Sequence, residues 1–409
     1  MSKTIQCREL KRMYDLEGPK KTCRRLSESL DEGHLKPEDF SLRDLAEALV
    51  PDGAEWVRSM DPRQGGSSVV EASDAVDSTA FANITGQLIV NKVMQAYQNE
   101  EFLMSRLVET IPTRLNGEKI PGISPLHQTA PGTEGEDSAL AVHEGMPFPH
   151  FGFGEDYIET PSTLKRGLIV PVTKEAIFFD RTGLVLRRAG EVGEILGRDK
   201  EKRLLNVLIG QTNNYKWKGV EYDTYSVNGS TGDEGGTALS GVINSKSSNE
   251  LIDWTDVDAL EQLFANMVDP TTGEPILLSG TQVLVCPPYR HAAARVFNAT
   301  EIRYTGTSAP TQTIAASPIK GYDWYSSRLL YARIKATVET DATKAGKWWF
   351  VGDFRKAFAY MENWPVTVTQ APPNSEAEFN QDIVAQFKAS ERGAAAVMDP
   401  RYVVKSYYD

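Results

Sequence analysis

Cysteine is nearly absent. Cys7, Cys23 and Cys286 are the three in 409 residues, and no two stand at the short paired spacing of a zinc site or a redox pair. Disulfide stapling is therefore not how this chain is held together. Cys286 lies inside the apolar run Val283-Leu284-Val285-Cys286, which suits a buried small hydrophobe rather than a reactive thiol. Histidine is as scarce: His34, His127, His143, His150 and His291 are scattered, and His143 and His150 fall where a catalytic or ligand pair lacks a rigid scaffold. No Walker A loop, His-Glu-x-x-His, Gly-x-Ser-x-Gly or Ca²⁺ loop is present, so the common reaction signatures are missing. Gly152-Phe153-Gly154 and the glycines at 232–236 lack the preceding strand and following helix of a phosphate-binding loop. Asp256 and Asp258 stand at the start of a helical pattern, where carboxylates meet the positive end of the dipole without any catalytic role. The sequence implies neither a cofactor nor a metal, and it is not read as an enzyme. No apolar run of about 18 residues occurs, which excludes a spanning helix. A polar opening with Ser2, Lys3, Gln6 and Arg8 excludes a secretory signal, so synthesis in the cytoplasm is expected. Lysine and arginine are outnumbered by acids 44 to 56, and a net charge of −12 argues against a protein that grips nucleic acid through clustered cations.

What is present is an ordinary folded composition on a long chain. At 40% hydrophobic and 24% charged residues it can bury a sizeable core, and 409 residues exceed one ordinary domain. Residues 1–60 are helical in pattern, with Lys20, Lys21, Arg24 and Arg25 preceding an acidic stretch, and Ser41 with Asp44 reads as a helix-opening cap. A small helical hairpin or partly ordered tail is expected there. Residues 61–78 are rich in Gly, Ser, Pro and Asp and read as a linker. Ile84, Leu88, Ile89, Val93, Met94 and Phe102 then recur at helical spacing. Residues 121–165 form a long Gly- and Pro-rich stretch without a core-forming run. Its Phe148, Phe151, Phe153, Tyr157 and Ile158 read as a surface awaiting a partner. A short strand at 167–172 leads to a long helix over 182–209, with Val185, Ala189, Val192, Leu196, Leu204 and Leu208 on one face and the charges of 198–203 expected outward. Residues 213–249 read as a polar surface loop or a small hairpin excursion with no assigned role. A helix over 255–267, a buried strand over 282–286 and a helix over 288–297 make an α+β unit.

The C-terminal sixty residues are the most specific. Phe350-Val351-Gly352-Asp353 opens a strand-like run that continues through Met361 and Trp364 to Val366 and Val368. Later, Ile383, Ala385, Phe387 and Ala389 alternate with Asp382, Gln386, Lys388 and Ser390, the period of a half-buried strand, with Val384 as the exception. Together with Ser390-Glu391-Arg392-Gly393-Ala394 and the closing Asp399-Pro400-Arg401-Tyr402-Val403-Val404, this stretch resembles the C-terminal end of tailed-bacteriophage major capsid proteins of the Hong Kong 97 type.

That resemblance implies an α+β Hong Kong 97 type capsid fold with an N-terminal arm, an extended loop, a peripheral domain with a long spine helix, and an axial domain. Its parts fall at 1–60 (N-terminal helical extension), 61–120 (arm), 121–166 (extended loop), 167–250 (peripheral domain with spine helix), 251–345 (axial domain), 346–392 (peripheral strands) and 393–409 (return to the axial domain). It further implies self-assembly into hexamers and pentamers of an icosahedral shell around phage double-stranded DNA. The protein would be made in the host bacterial cytoplasm and located in the virion capsid. Scaffolding, protease, portal and decoration proteins would be its partners, alongside weak nonspecific contact with DNA and none with membrane. A net negative wall suits DNA that must move inside it. Phe148, Phe151, Phe153, Tyr157, Ile158, Trp364 and Phe379 are the expected inter-subunit contacts. The 300–318 stretch would supply near-axis loops, and residues 65–77 an accessible cleavage point. Some members join subunits by a lysine–asparagine isopeptide bond. Asn374, Glu376 and Glu378 could form an acceptor loop, but residues 121–164 hold no lysine, so no such crosslink is expected. An encapsulin-type shell, an oligomeric enzyme with an unrecognised site and a host-surface binding module remain as rivals.

Overall fold

The computed structural model describes residues 7–32, 40–49, 57, 78–99, 101–122, 144, 156–212, 215–229, 231–232, 235–269, 276, 278–305, 312–371 and 383–408. Its strands are, in order, β1 (Glu109–Pro112), β2 (Lys119–Pro121), β3 (Tyr157–Glu159), β4 (Leu164–Thr173) and β5 (Tyr215–Trp217). Then come β6 (Val220–Tyr222), β7 (Ser245–Ser247), β8 (Gln282–Val285), β9 (Glu301–Thr305) and β10 (Gln312–Ala316). Last are β11 (Asp323–Ser326), β12 (Trp349–Gly352), β13 (Phe358–Gln370), β14 (Ile383–Val397) and β15 (Val403–Tyr407). The chain divides into two compact units. Unit one takes Met1–Phe102, Lys165–Asp199 and Trp364–Arg392, and unit two takes Leu103–Leu164, Lys200–Asn363 and Gly393–Asp409.

Unit one is built largely of helices. Helices Cys7–Glu17 and Pro19–Asp31 are joined by Gly18, whose φ of 82° is a turn that a Cβ would strain. The next helix, Leu42–Leu49, opens on Ser41, whose hydroxyl accepts from the Asp44 N–H at 3.2 Å and donates to Asp180 at 2.9 Å. Leu42, Leu45, Ala46 and Leu49 are buried in one core with Leu26, Ile84, Leu88, Val93, Val185 and Phe387. The N-terminal helices are therefore core members of unit one, not an appended tail, because their apolar stripe has no other place to be buried. Helix Ser78–Tyr97 packs against the first part of the 28-residue helix Thr182–Ile209 at glycine. A Cβ on Gly193 would lie 2.2 Å from the Val93 carbonyl oxygen, and one on Gly197 2.9 Å from that of Tyr97. The expected period-two strand is present over 383–389: Ile383, Ala385, Phe387 and Ala389 of β14 are buried, Gln386 is half-buried and Lys388 exposed, but Ser390, expected on the wet face, is buried at 4% exposure.

Unit two centres on a five-stranded sheet of order β11-β8-β12-β15-β7. β12 runs antiparallel to both neighbours, with Val351 opposite Val283 on one side and Val404 on the other. Trp349, Phe350, Val283, Leu284 and Cys286 are almost fully buried in it, as continuous apolar runs in a central strand require. Helix Trp254–Asn266 begins with a reciprocal cap between Asp253 and Asp256, which gives Asp256 its structural role. The division differs from the expected boundaries, since residues 200–250 and 346–363 lie in unit two. The reason is strand pairing: β12 sits between β8 and β15, and β7 adds to β15.

Two further expectations are corrected. Of the charged run 198–203, Arg198 and Lys202 point outward, but Lys200 is 8% exposed and Glu201 fully buried. The 213–249 stretch does contain a small hairpin, β5–β6, but it is not confined to the surface, because Tyr215, Tyr225 and Asn244 are all at 0% exposure. Asn244 donates to the carbonyls of Thr224 and Pro400, each at 2.9 Å, and accepts from the Ser226 N–H at 2.7 Å.

Candidate assembly surfaces

The root of the long 121–156 stretch is held in a four-stranded sheet, β2-β3-β5-β6. Ile120 faces Ile158 across the antiparallel pair, and beyond it the Gly122 N–H donates to the Asp156 carbonyl at 3.0 Å. A side chain at Gly122 would run into the Asp156 carboxyl, which would have to move aside. β5 and β6 turn through Lys218-Gly219, with φ of 50° and 80°, the left-handed pair of a two-residue hairpin. Glu159 lies between Lys119 at 3.7 Å and Lys216 at 3.3 Å, and the Lys119 ammonium stands 4.0 Å from the centre of the Tyr157 ring. A paired ribbon is marginal alone in water; joined to β5 and β6 it becomes a fixed base.

Of the expected contact residues, Tyr157 is half-buried over Lys119, and Trp364 is half-buried with the Arg392 guanidinium 5.6 Å from its ring. Ile158 is 2% exposed and its side chain is committed to the core of unit two, because period two turns it inward between Tyr157 and Glu159. Phe148, Phe151, Phe153 and Phe379 lie outside the described residues, as do Asn374, Glu376, Glu378 and the 65–77 stretch. The 300–318 region forms the antiparallel pair β9–β10, a two-stranded sheet by itself among the described residues, with Thr305 opposite Gln312. His291 is exposed. Burial raises the Cys286 thiol far above its ordinary range, which leaves it as packing.

Two polar groups were not legible in the sequence. Glu201 accepts from the backbone N–H groups of Met104 at 2.8 Å and Ser105 at 2.9 Å, and from the Ser105 hydroxyl at 2.8 Å. Desolvation pushes its carboxyl up, and those hydrogen bonds oppose the shift. Nothing in a run of charges marks one member for the interior. Arg401 is buried between carboxylates, donating to Asp399 at 2.9 and 2.8 Å and to Asp269 at 3.3 Å. The Lys218-Gly219 turn did carry a signal, a glycine between short alternating runs.

A family model for phage capsid proteins matches residues 157–406. Among solved structures, the capsid of a native GTA particle is 11% identical, with 76% of this chain and 91% of that chain covered and a TM-score of 0.42. Gordonia phage Cozz gives 13% identity, coverage of 75% and 86%, and 0.40. An encapsulin complex from Synechococcus elongatus gives 12%, coverage of 76% and 87%, and 0.40. No curated protein sequence matches. Since the matched span takes in well over half of the residues, including β3, β5, β6 and the whole C-terminal strand region, the chain belongs to the phage capsid protein family and is a major capsid protein, a structural subunit of the virion shell.

Proposed function

We propose that copies of this chain assemble in the Hong Kong 97 arrangement, as hexamers and pentamers of an icosahedral shell enclosing phage double-stranded DNA. The observation that carries this reading is the root of the 121–156 stretch. A four-stranded sheet with Glu159 between two lysines fixes both ends of a long segment whose aromatics have no core of their own in the sequence. Unit two, with its five-stranded sheet, fits the axial role, and unit one, with the first part of the long helix, the peripheral role. The β9–β10 pair fits a near-axis position, since two strands alone are marginal in water and gain from copies packed around a ring. Many modest contacts of this kind add to a stable shell while single errors stay reversible. The chain performs no chemistry in this reading. Scaffolding, protease, portal and decoration proteins are the partners that the family resemblance brings. Electron microscopy of the purified chain tests the reading, with closed megadalton particles expected; a small oligomer at every concentration and salt would overturn it. An encapsulin-type role predicts enzyme cargo and no genome, so the contents of particles from producing cells separate the two.

A further inference from the structure

The first 25 residues hold eight of the 44 lysines and arginines but three of the 56 acids, so a positive segment begins a chain of net charge −12. From Cys7 it folds as the helices Cys7–Glu17 and Pro19–Asp31, which meet at Gly18. Thr22, Leu26 and Leu30 turn one stripe of the second helix inward. Lys21, Arg24 and Arg25 are exposed on its other side, at the i, i+3 and i+4 spacing that sets them next to one another, and Arg12 is exposed on the first helix. Arg24 and Arg25 reach the carboxylates of Glu28 and Glu17, and the Arg24 side chain stays 82% exposed in its pair. Exposed pairs of this kind are weak, so a phosphate can take the place of the carboxylate. Arg12 and Lys21 form no ion pair among the described residues. The first turn of the second helix, which includes Lys20 and Lys21, has no acidic residue. The helix dipole disfavours cations there, so these lysines cost stability that a carboxylate would add, and an anion beside them relieves the cost. Two other occupants fit less well. Leu16 is the only large apolar side chain exposed on the two helices among the described side chains, too little for a membrane face. The 56 acids of a second copy are spread along 409 residues, whereas duplex DNA carries one negative charge per about 1.7 Å of its axis.

We infer that Arg12, Lys21, Arg24 and Arg25 form a phosphate-binding face through which each subunit touches the packaged duplex. This rests on the shell reading above and assigns the DNA contact to named residues. A few cations on an acidic chain hold DNA loosely, so it is retained without being fixed to the wall. Fluorescence anisotropy of a short labelled duplex titrated with the unassembled full-length chain tests it. Affinity is expected to fall roughly 100-fold between about 50 and 200 mM salt, as release of about four phosphate contacts requires. Lys21→Gln combined with Arg24→Gln weakens binding at least about tenfold at low salt and flattens the log–log salt slope by about two. Glu28→Gln, which takes away the carboxylate competing for Arg24, tightens binding, an effect that a merely structural role for this pair does not produce. Lys320→Gln, at an exposed lysine of unit two, changes neither affinity nor slope. No binding at low salt overturns the inference, as does binding that the double variant leaves unchanged. Tighter binding to phosphatidylserine vesicles or to polyglutamate than to the duplex also overturns it, and gives the face to a membrane or to an acidic protein surface. Particles formed by a chain that binds no duplex overturn it while the shell reading stands. Absence of particles under all conditions removes the shell reading, and the packaged-DNA contact with it.

Discussion

Glu201 and Glu250 are two carboxylates of unit two whose environments move them in opposite directions. Desolvation raises Glu201. Glu250 accepts from the Lys347 ammonium at 2.8 Å and from the Tyr289 hydroxyl, and these bonds, the lysine's first, lower it. For Glu201 the folded state holds its proton to a higher pH than the unfolded state does. Its contribution is complete below the unfolded value and declines as pH climbs through the folded one. For Glu250 the sign reverses: its contribution is present above the unfolded value and is lost as pH falls through the folded one. Urea unfolding of the unassembled subunit against pH is expected to show both limbs, with the acid limb reduced in Glu250→Gln and the upper one in Glu201→Gln. Glu201→Ala lowers stability by about 3 kcal/mol at neutral pH, since two buried N–H groups lose their acceptor.

At the scale of elements, the long helix carries two glycines with opposite expectations. Gly193→Val forces a side chain against the Val93 backbone and is expected to destabilise the subunit by about 2–3 kcal/mol or more. Gly183→Ala meets nothing within 4 Å and is expected to raise stability by up to about 1 kcal/mol. Thermal unfolding of both variants checks the pair. The same helix shows what a sequence exposes and what it hides. Its length and its stripe of Val185, Ala189 and Leu196 follow from the 3.6-residue period, and the alternation of β14 from period two. Gly193 as a crossing point does not follow, because close approach of two backbones depends on a partner a hundred residues away. Nor does the burial of Lys200, which stands 4.2 Å from the centre of the Tyr360 ring, a pairing that only the folded chain brings together. The ribbon root was legible as a boundary, but its inclusion of β5 and β6 was not. Ile158 was expected outward because an apolar residue in a polar stretch cannot be assigned a face until its strand has neighbours.

For the whole molecule, folding and assembly respond differently to loss of the 123–155 segment. Replacing it by a short turn between Gly122 and Asp156 is expected to leave folding intact, because those residues already close the root at 3.0 Å, and to abolish particles. Normal particles from that variant would sink the role given to the segment. Denaturing gels of assembled particles are expected to show single subunits without covalent ladders, since residues 121–164 offer no lysine to join. The order of strands in unit two has a further consequence for biosynthesis. β15, between β12 and β7, leaves the ribosome after both of them, so the place between the central strand and the edge strand stays empty until residues 403–407 are made. A chain cut short by a stop codon before Val403 leaves β12 and β7 without the strand that joins them.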